Sequence, residues 1–123
     1  MISHRQSDLF KRLKEMDIKN ITGYDKYTPK ILDKLYSMGY AVDKNEDRVR
    51  WYLKGLLHRV NGPALEMKSG TKHWYINGKH HREDGPAIEY SNGDKVWYLN
   101  DKNYNSEQYN AIPMLERISL RPV

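Results

Sequence analysis

The sequence contains no cysteine, only one phenylalanine and no long apolar run. Without cysteine the chain has no disulfide, thiolate metal ligand or cysteine nucleophile, which fits a reducing compartment. No apolar run approaches the ~20 residues of a membrane-spanning helix, and the first residues lack the apolar stretch of a signal peptide. The sequence therefore predicts a cytoplasmic protein with no membrane partner.

Tyrosine and tryptophan are abundant instead, with 10 Tyr and 3 Trp in 123 residues, a length typical of one domain. Both side chains combine a large apolar body with a polar tip, which suits thin cores and wet interfaces. The net charge is +5, and basic residues alternate with acidic ones along the chain. Such a balance permits nucleic-acid binding but is also common on an ordinary solvated surface.

A repeat of 23 residues organises the middle of the chain, where Trp51-Tyr52, Trp74-Tyr75 and Trp97-Tyr98 follow one another at that spacing. We call residues 51–73 unit 1, residues 74–96 unit 2 and the partial copy from residue 97 unit 3. Units 1 and 2 share several further elements: His58-Arg59 with His81-Arg82, Gly62-Pro63-Ala64 with Gly85-Pro86-Ala87, and Gly70 with Gly93. A single hairpin cannot bury its own apolar face, so the units are expected to pack side by side.

Each unit carries a hairpin signal. Asn92-Gly93 is a preferred pair for a two-residue type I′ turn, and Ser69-Gly70 occupies the same place one unit earlier. This turn would place Ile88 opposite Trp97 and would put both side chains on one face of the sheet. The same register in unit 1 completes a predicted structural core of Leu65, Trp74, Ile76, Ile88, Trp97 and Leu99. The bends at residues 61–63 and 84–86 return the chain, which predicts an antiparallel meander of five or six strands.

The repeat resembles one that is common in small bacteriophage and large-virus proteins, and its spacing is similar to that of MORN repeats. The resemblance covers residues 51–104 and rests on these elements of unit 2: Asn77-Gly78-Lys79, His81-Arg82, Asp84 to Ala87, Gly93 and the next Trp-Tyr pair. Unit 1 departs from it at Lys54 and Leu56, and unit 3 at Asp101. The resemblance implies a non-catalytic binding platform of phage origin. Its partner would be a host protein in the host cytoplasm, for example an enzyme or defence system that the protein inhibits.

Helices are predicted on both sides of the repeat. Residues 8–16 form a first amphipathic helix, and a second one begins after Thr28, with Pro29 in its first turn and Gly39 beyond its end. A short helix starts at Asn105 or Ser106, and Pro113 ends or kinks it. The predicted fold is therefore α+β: an N-terminal helical segment (1–46), a β-hairpin repeat sheet (47–104) and a C-terminal capping helix and tail (105–123) in one compact domain.

No pattern of catalytic or metal-binding residues stands out. The recurrent His-Arg pairs follow the repeat, and no His-x₃-His or cysteine spacing supports zinc. Glu83-Asp84 lacks a nucleophile, phosphate loop or dyad partner. The sequence thus predicts a protein that is not an enzyme and has no cofactor and no metal. The His-Arg side chains are expected to tie the return bend to Asp84 or to backbone carbonyls.

Two binding surfaces remain open as alternatives. Repeat positions on the Tyr side of the sheet combine aromatic and basic side chains, which is the composition of protein-binding hot spots. The candidate partner-binding residues are Tyr52, Tyr75, Tyr98, His58, Arg59, His81 and Arg82. Alternatively, the N-terminal segment loosely resembles a winged helix, and the protein would be a nucleic-acid-binding regulator. The candidate nucleic-acid-binding residues are Lys30, Lys34, Tyr36, Arg48 and Arg50.

Overall fold

Trp51-Tyr52 and Trp97-Tyr98 lie within strands, Trp74 lies between two short strands, and the chain turns back within a few residues of each pair. A computed structural model describes residues 18–123; the predicted helix over residues 8–16 lies outside this range. The strands are β1 (Ala41–Lys44), β2 (Arg48–Leu53), β3 (Leu56–Leu57), β4 (Leu65–Met67), β5 (Lys72–His73), β6 (Tyr75–Ile76), β7 (Lys79–His80), β8 (Ile88–Glu89), β9 (Lys95–Leu99) and β10 (Lys102–Tyr104). The α-helices are α1 (Pro29–Ser37), α2 (Ser106–Asn110) and α3 (Met114–Ser119), and a 3₁₀ turn spans Tyr24–Lys26.

The strands form a large antiparallel meander. Eight of them make one sheet in the order β1-β2-β4-β5-β8-β9-β10, with β3 paired to β2, while β6 and β7 form a separate two-stranded sheet. With helices on both sides of the repeat in the chain, this confirms the predicted α+β meander. The five or six strands expected are too few, because each unit contains two hairpins rather than one.

The extra hairpin of each unit follows the Trp-Tyr pair. Its two turn residues both have positive φ: 51° and 78° at Lys54-Gly55, 49° and 80° at Asn77-Gly78, and 50° and 65° at Asn100-Asp101. Positive φ at both central residues defines a type I′ turn, which matches the twist of the flanking strands. The two-residue hairpin turn therefore exists in every unit, but about 15 residues before the Asn-Gly pair on which it was predicted.

The second hairpin of each unit has a different register from the predicted one. Ile88 pairs with Val96, not with Trp97, and Leu65 pairs with His73, not with Trp74. Among the loop residues only Gly70 and Gly93 have positive φ, at 103° and 94°. A single left-handed glycine after a type I turn makes a three-residue loop, and that one extra residue shifts the pairing.

The shift changes which side chains share a face. Along β9, Val96 and Tyr98 point to the side of Ile88, whereas Trp97 points to the other side. The apolar face predicted from Ile88 and Trp97 together is therefore wrong. Of the six predicted core residues, Ile88 and Leu99 are buried, and the other four are half-buried: Leu65, Trp74, Ile76 and Trp97.

The helix predicted after Thr28 forms as expected, and Tyr27 and Tyr40 on either side of it contact the tryptophan of unit 1. The Thr28 hydroxyl accepts the Ile31 N–H, Pro29 is the first residue of α1, and Gly39 follows its end with a φ of 91°. The main hydrophobic core lies here and consists of Tyr27, Leu35, Val49, Trp51 and Ala64. Because Trp51 points to this core, the next residue in β2, Tyr52, points to the opposite face of the sheet.

The C-terminal segment contains two short helices where one was predicted. Asn105 caps α2 in a capping box with Gln108, in agreement with the expected start. Pro113 ends that helix and immediately precedes α3. The ring of Tyr109 in α2 is buried and lies 6.5 Å from the ring of Trp97. None of the helices within residues 18–123 is long and apolar enough to cross a membrane.

Candidate functional site

The recurrent histidines join neighbouring units. Nδ1 of His58 accepts the Asn77 N–H at 3.0 Å, and Nδ1 of His81 accepts the Asn100 N–H at 2.9 Å. Both acceptors meet the first residue of the type I′ turn in the next unit. An accepting Nδ1 carries no proton, so each neutral ring carries its proton on Nε2.

The recurrent arginines lie on the tryptophan of their own unit. The guanidinium carbon lies 4.0 Å from the ring centroid of Trp51 for Arg59, and 3.8 Å from that of Trp74 for Arg82. Each arginine also donates to a carbonyl of the return bend, Pro63 at 3.3 Å or Pro86 at 3.0 Å. A planar guanidinium can stack on a ring with its face and at the same time donate through several N–H groups in its plane.

The three tryptophans differ in what covers them. Trp51 has edge contacts with the rings of Tyr27 and Tyr40, and Trp97 has a tilted contact with Tyr109. Between residues 18 and 123 no aromatic ring contacts Trp74. The terminal segments thus cover the outer tryptophans and leave the middle one without such a cover.

An open cleft of about 780 Å³ lies over Trp74. Its apolar lining residues are Val60, Pro63, Trp74, Ile76, Met114, Ile118 and Pro122. Its polar lining residues include His58, Arg59, Asn61, His81, Arg82, Glu83, Asp84 and Arg121. Side chains at its rim are exposed, with relative accessibilities of 67% for Val60 and 45% for Met114. The cleft thus combines apolar and charged side chains, and its volume lies in the range of ligand-binding sites.

Glu83 is the centre of the polar wall. Its carboxylate accepts two hydrogen bonds from the Arg121 guanidinium, at 2.5 and 2.9 Å to Oε1, and also pairs with Nε2 of His81. Burial alone would raise the pKa of Glu83, but the hydrogen bonds from Arg121 and His81 outweigh it and hold that pKa below its ordinary value. Burial also lowers the pKa of His81 despite this carboxylate. The neutral ring therefore donates to a carboxylate that is already charged.

The predicted partner-binding residues divide between two faces. All four His-Arg residues line the cleft, although Arg59 and His81 are almost fully buried. The residues at the tyrosine position, Tyr52, Tyr75 and Tyr98, belong to the opposite face and are half-buried. The prediction that all seven residues share the Tyr side of the sheet is therefore wrong, because the His-Arg residues line the cleft and the three tyrosines do not.

A histidine–tyrosine cluster on that opposite face escaped sequence reasoning. The ring of His80 lies 4.2 Å from that of Tyr75 and 5.0 Å from that of Tyr98, and its Nε2 is 3.1 Å from Nδ1 of His73. Within residues 18–123 no group of three or more His, Cys, Asp or Glu side chains is placed to hold a metal ion. The one available signal was that neither histidine recurs in the neighbouring units.

The candidate nucleic-acid-binding residues are dispersed. On α1, Lys30 is exposed and Tyr36 is 81% exposed, while Lys34 is half-buried. Arg50 donates to both carboxylate oxygens of Asp43, at 3.2 and 3.1 Å, so its charge is balanced. Arg48 and Arg50 lie on β2, which is paired on both sides rather than forming an open wing.

Sequence reasoning also missed the part of the cleft that α3 supplies, Met114 and Ile118. The segment after Pro113 was expected to be a tail. Its signal was a proline followed by apolar residues four positions apart, which is typical of a short amphipathic helix.

Comparison with family models, with curated proteins and with solved structures finds no match for this chain. The resemblance to phage and MORN-type repeats stays a prediction.

Proposed function

We propose that the chain is a small, non-enzymatic protein-binding module, and that its cleft over Trp74 receives a segment of a protein partner. The proposal rests on one observation: the three tryptophans share one position of the repeat, but different parts of the chain cover them. The helical segments cover Trp51 and Trp97, while Trp74 lines an open cleft with exposed apolar residues around it. Residues that bury their apolar surface only when a partner binds are the usual core of an interface.

The composition of the cleft supports a peptide or protein segment as the ligand. Trp and Arg are enriched among residues that dominate binding energy at interfaces, and the cleft contains Trp74 with Arg82 packed on it. Its walls are also held in place before binding, because Arg82 donates to Pro86 and Asp84, and Glu83 is fixed by Arg121. A preorganised wall reduces the entropy that binding must overcome.

The repeat's resemblance to phage and large-virus repeats extends the proposal. By that likeness the protein would be phage-encoded, would act in the host cytoplasm and would bind a host protein. Inhibition of a host enzyme or defence system is the corresponding role. Nothing about the cleft depends on this origin, so the binding proposal can be tested without it.

Selection of peptides from a random display library on the immobilised full chain tests the proposal. Val60→Lys and Met114→Lys place a charge at exposed rim positions and should reduce binding of the selected peptides at least tenfold, since each charge would have to be desolvated. Leu53→Lys is the matched control, because Leu53 is 46% exposed and does not line the cleft. Peptides that bind all variants alike would overturn the proposed site. Binding of DNA or RNA that weakens steeply with salt would support the nucleic-acid alternative instead.

A further inference from the structure

The repeat allows units 1 and 2 to be compared position by position at the cleft. The return bends at residues 58–64 and 81–87 follow the same backbone course, because the flanking hydrogen bonds match. His58 N–H donates to the Trp51 carbonyl as His81 N–H donates to that of Trp74, at 3.0 and 3.2 Å. Trp51 N–H likewise donates to the Ala64 carbonyl, and Trp74 N–H to that of Ala87, at 2.8 and 2.7 Å. Side chains that differ between the bends therefore occupy equivalent places.

In unit 2, two carboxylates satisfy the outward donors of the His-Arg pair. Nε2 of His81 is paired with Glu83, and Nε of Arg82 donates to Asp84 Oδ1 at 3.0 Å. Both carboxylates follow directly after the pair in the chain. In unit 2 the outward side of the His-Arg pair thus faces two carboxylates, and Arg121 also binds that of Glu83.

In unit 1 both carboxylates are missing. Val60 stands at the position of Glu83, and Asn61 stands at that of Asp84. Within the described range, Nε2 of His58 has no hydrogen-bond partner, and Nε of Arg59 is buried without one. Arg59 is 5% exposed, and an unmatched buried donor on a charged group is costly.

Of these two donors only that of His58 can reach a ligand, because Nε of Arg59 is buried. His58 lines the open cleft, as Glu83 and Arg121 do. Because Nδ1 of His58 accepts the Asn77 N–H, the proton of the neutral ring is on Nε2 and available for donation. Unit 1 has also lost two negative charges relative to unit 2, so this wall favours an anion.

We propose that the partner segment is acidic, and that one of its carboxylates binds at His58 in the place that Glu83 occupies beside His81. An adjacent apolar side chain of the same segment then contacts Trp74 and Ile118. This inference rests on the proposed function, because it names the chemistry of the segment that the cleft receives. The carboxylate belongs to an Asp or Glu side chain of the partner.

The first test uses peptides from the display selection and their copies in which Asp and Glu are replaced by Asn and Gln. The inference expects cleft-dependent peptides to be acidic and to lose about tenfold in affinity on amide replacement, the size of one hydrogen bond to a charged group. Cleft-dependent peptides that tolerate amide replacement would overturn the inference and leave the proposed function standing. A selection without cleft-dependent peptides would overturn both.

The second test supplies the missing carboxylate within the chain. Val60→Glu places it at the position equivalent to Glu83, and Val60→Gln is the matched control of the same size. Val60 is 67% exposed, so both variants are expected to fold. Val60→Glu should raise the pKa of His58 in an NMR titration and weaken the acidic peptides at least tenfold. Val60→Gln should leave the His58 pKa as in the parent. Equal effects of the two variants would show that this bend does not receive a carboxylate and would overturn the inference.

Discussion

The recurrent histidines can hold neighbouring units together only while their imidazole rings are neutral. His58 and His81 each accept a backbone N–H at Nδ1, and a doubly protonated imidazolium cannot accept. The recurrent histidine is therefore both a hydrogen-bond acceptor between units and a point at which acid can separate them. Its position in every complete unit gives the whole sheet a shared sensitivity to pH.

Burial lowers the pKa of four histidines, His58, His73, His80 and His81. A group whose pKa is lower in the folded state stabilises the fold fully above its unfolded pKa, near 6.5. That stability is lost as the pH falls below this value towards the folded pKa. We expect the free energy of unfolding, measured by urea denaturation, to decrease between pH 7 and pH 5.

The control for this pH dependence is His81→Gln, which removes one titrating ring and should flatten the curve. Glu83 acts with the same sign, but only below its ordinary pKa of 4.5, outside this window. A free energy of unfolding that does not change between pH 7 and pH 5 would contradict the hydrogen-bonding role of the histidines.

A second prediction at the scale of single residues concerns Arg59. Its guanidinium stacks on Trp51 and donates to the Tyr27 hydroxyl at 3.1 Å and to the Ile21 carbonyl at 2.6 Å. Arg59→Lys keeps the charge but not the planar set of donors, and should lower the free energy of unfolding by about 2 kcal/mol. Arg48→Lys on the same sheet is the control and should change it by less than about 0.5 kcal/mol. Equal effects would show that the stack is not required.

At the scale of elements, two turn geometries alternate along the repeat. The type I′ turn follows each Trp-Tyr pair, and the three-residue loop with one left-handed glycine closes the other hairpin. Asn-Gly occurs in both, at Asn77-Gly78 and at Asn92-Gly93. Asn92 keeps a negative φ, and its side chain accepts the Asp94 N–H at 2.9 Å, which stabilises the longer loop.

This alternation explains what could be predicted from the sequence. The antiparallel meander, the repeat and the caps at Thr28 and Asn105 follow from local patterns and are observed, although the strands are more numerous than predicted. The register does not follow, because the same dipeptide suits either loop and a shift of one residue moves every side chain to the other face. The predicted hairpin therefore exists, but its predicted turn type and the predicted face of Trp97 relative to Ile88 are wrong.

A prediction at the scale of elements concerns Lys54 in the type I′ turn of unit 1. It holds a φ of 51° in a type I′ turn, where unit 2 has Asn77 at a φ of 49°. Asparagine tolerates this conformation better than lysine, so Lys54→Asn should raise the free energy of unfolding by about 0.5 kcal/mol. Lys68→Asn, at an exposed loop position without positive φ, should not raise it. A thermal denaturation series on both variants decides between a local effect and a general effect of removing charge.

At the scale of the whole molecule, the ends of the repeat array are closed by different elements. Residues 24–37 cover unit 1 through Tyr27, and α2 covers unit 3 through Tyr109. Repeat arrays commonly need such terminal caps, since an end unit has no neighbour to cover it. The cleft over Trp74 is the gap between the two caps, and no local pattern encodes a gap between segments far apart in sequence. That is why the sequence predicted the four His-Arg residues of the cleft but not the cleft itself or the part that α3 supplies.

The C-terminal cap is held by Tyr109, whose hydroxyl donates to the Arg82 carbonyl at 2.6 Å and accepts the Gly85 N–H at 3.2 Å. Arg117 adds a bond to the Glu83 carbonyl at 2.9 Å. Truncation after Asn103 removes these contacts, uncovers Trp97 and shortens the edge strand β10, so the chain should melt at lower temperature and become less soluble. Calorimetry and size-exclusion chromatography measure both effects.

Tyr109→Phe in the full chain separates the two contributions of the cap. It keeps the ring on Trp97 and removes only the hydroxyl, which should cost about 1–2 kcal/mol without loss of solubility. The truncated chain should have a lower melting temperature and a lower solubility than Tyr109→Phe, because it loses the cover of Trp97 as well as the hydrogen bonds. A truncated chain that stays monomeric and melts like the parent would mean that unit 3 needs no cover. The lack of an aromatic cover on Trp74 would then no longer distinguish a binding site from an ordinary unit of the array.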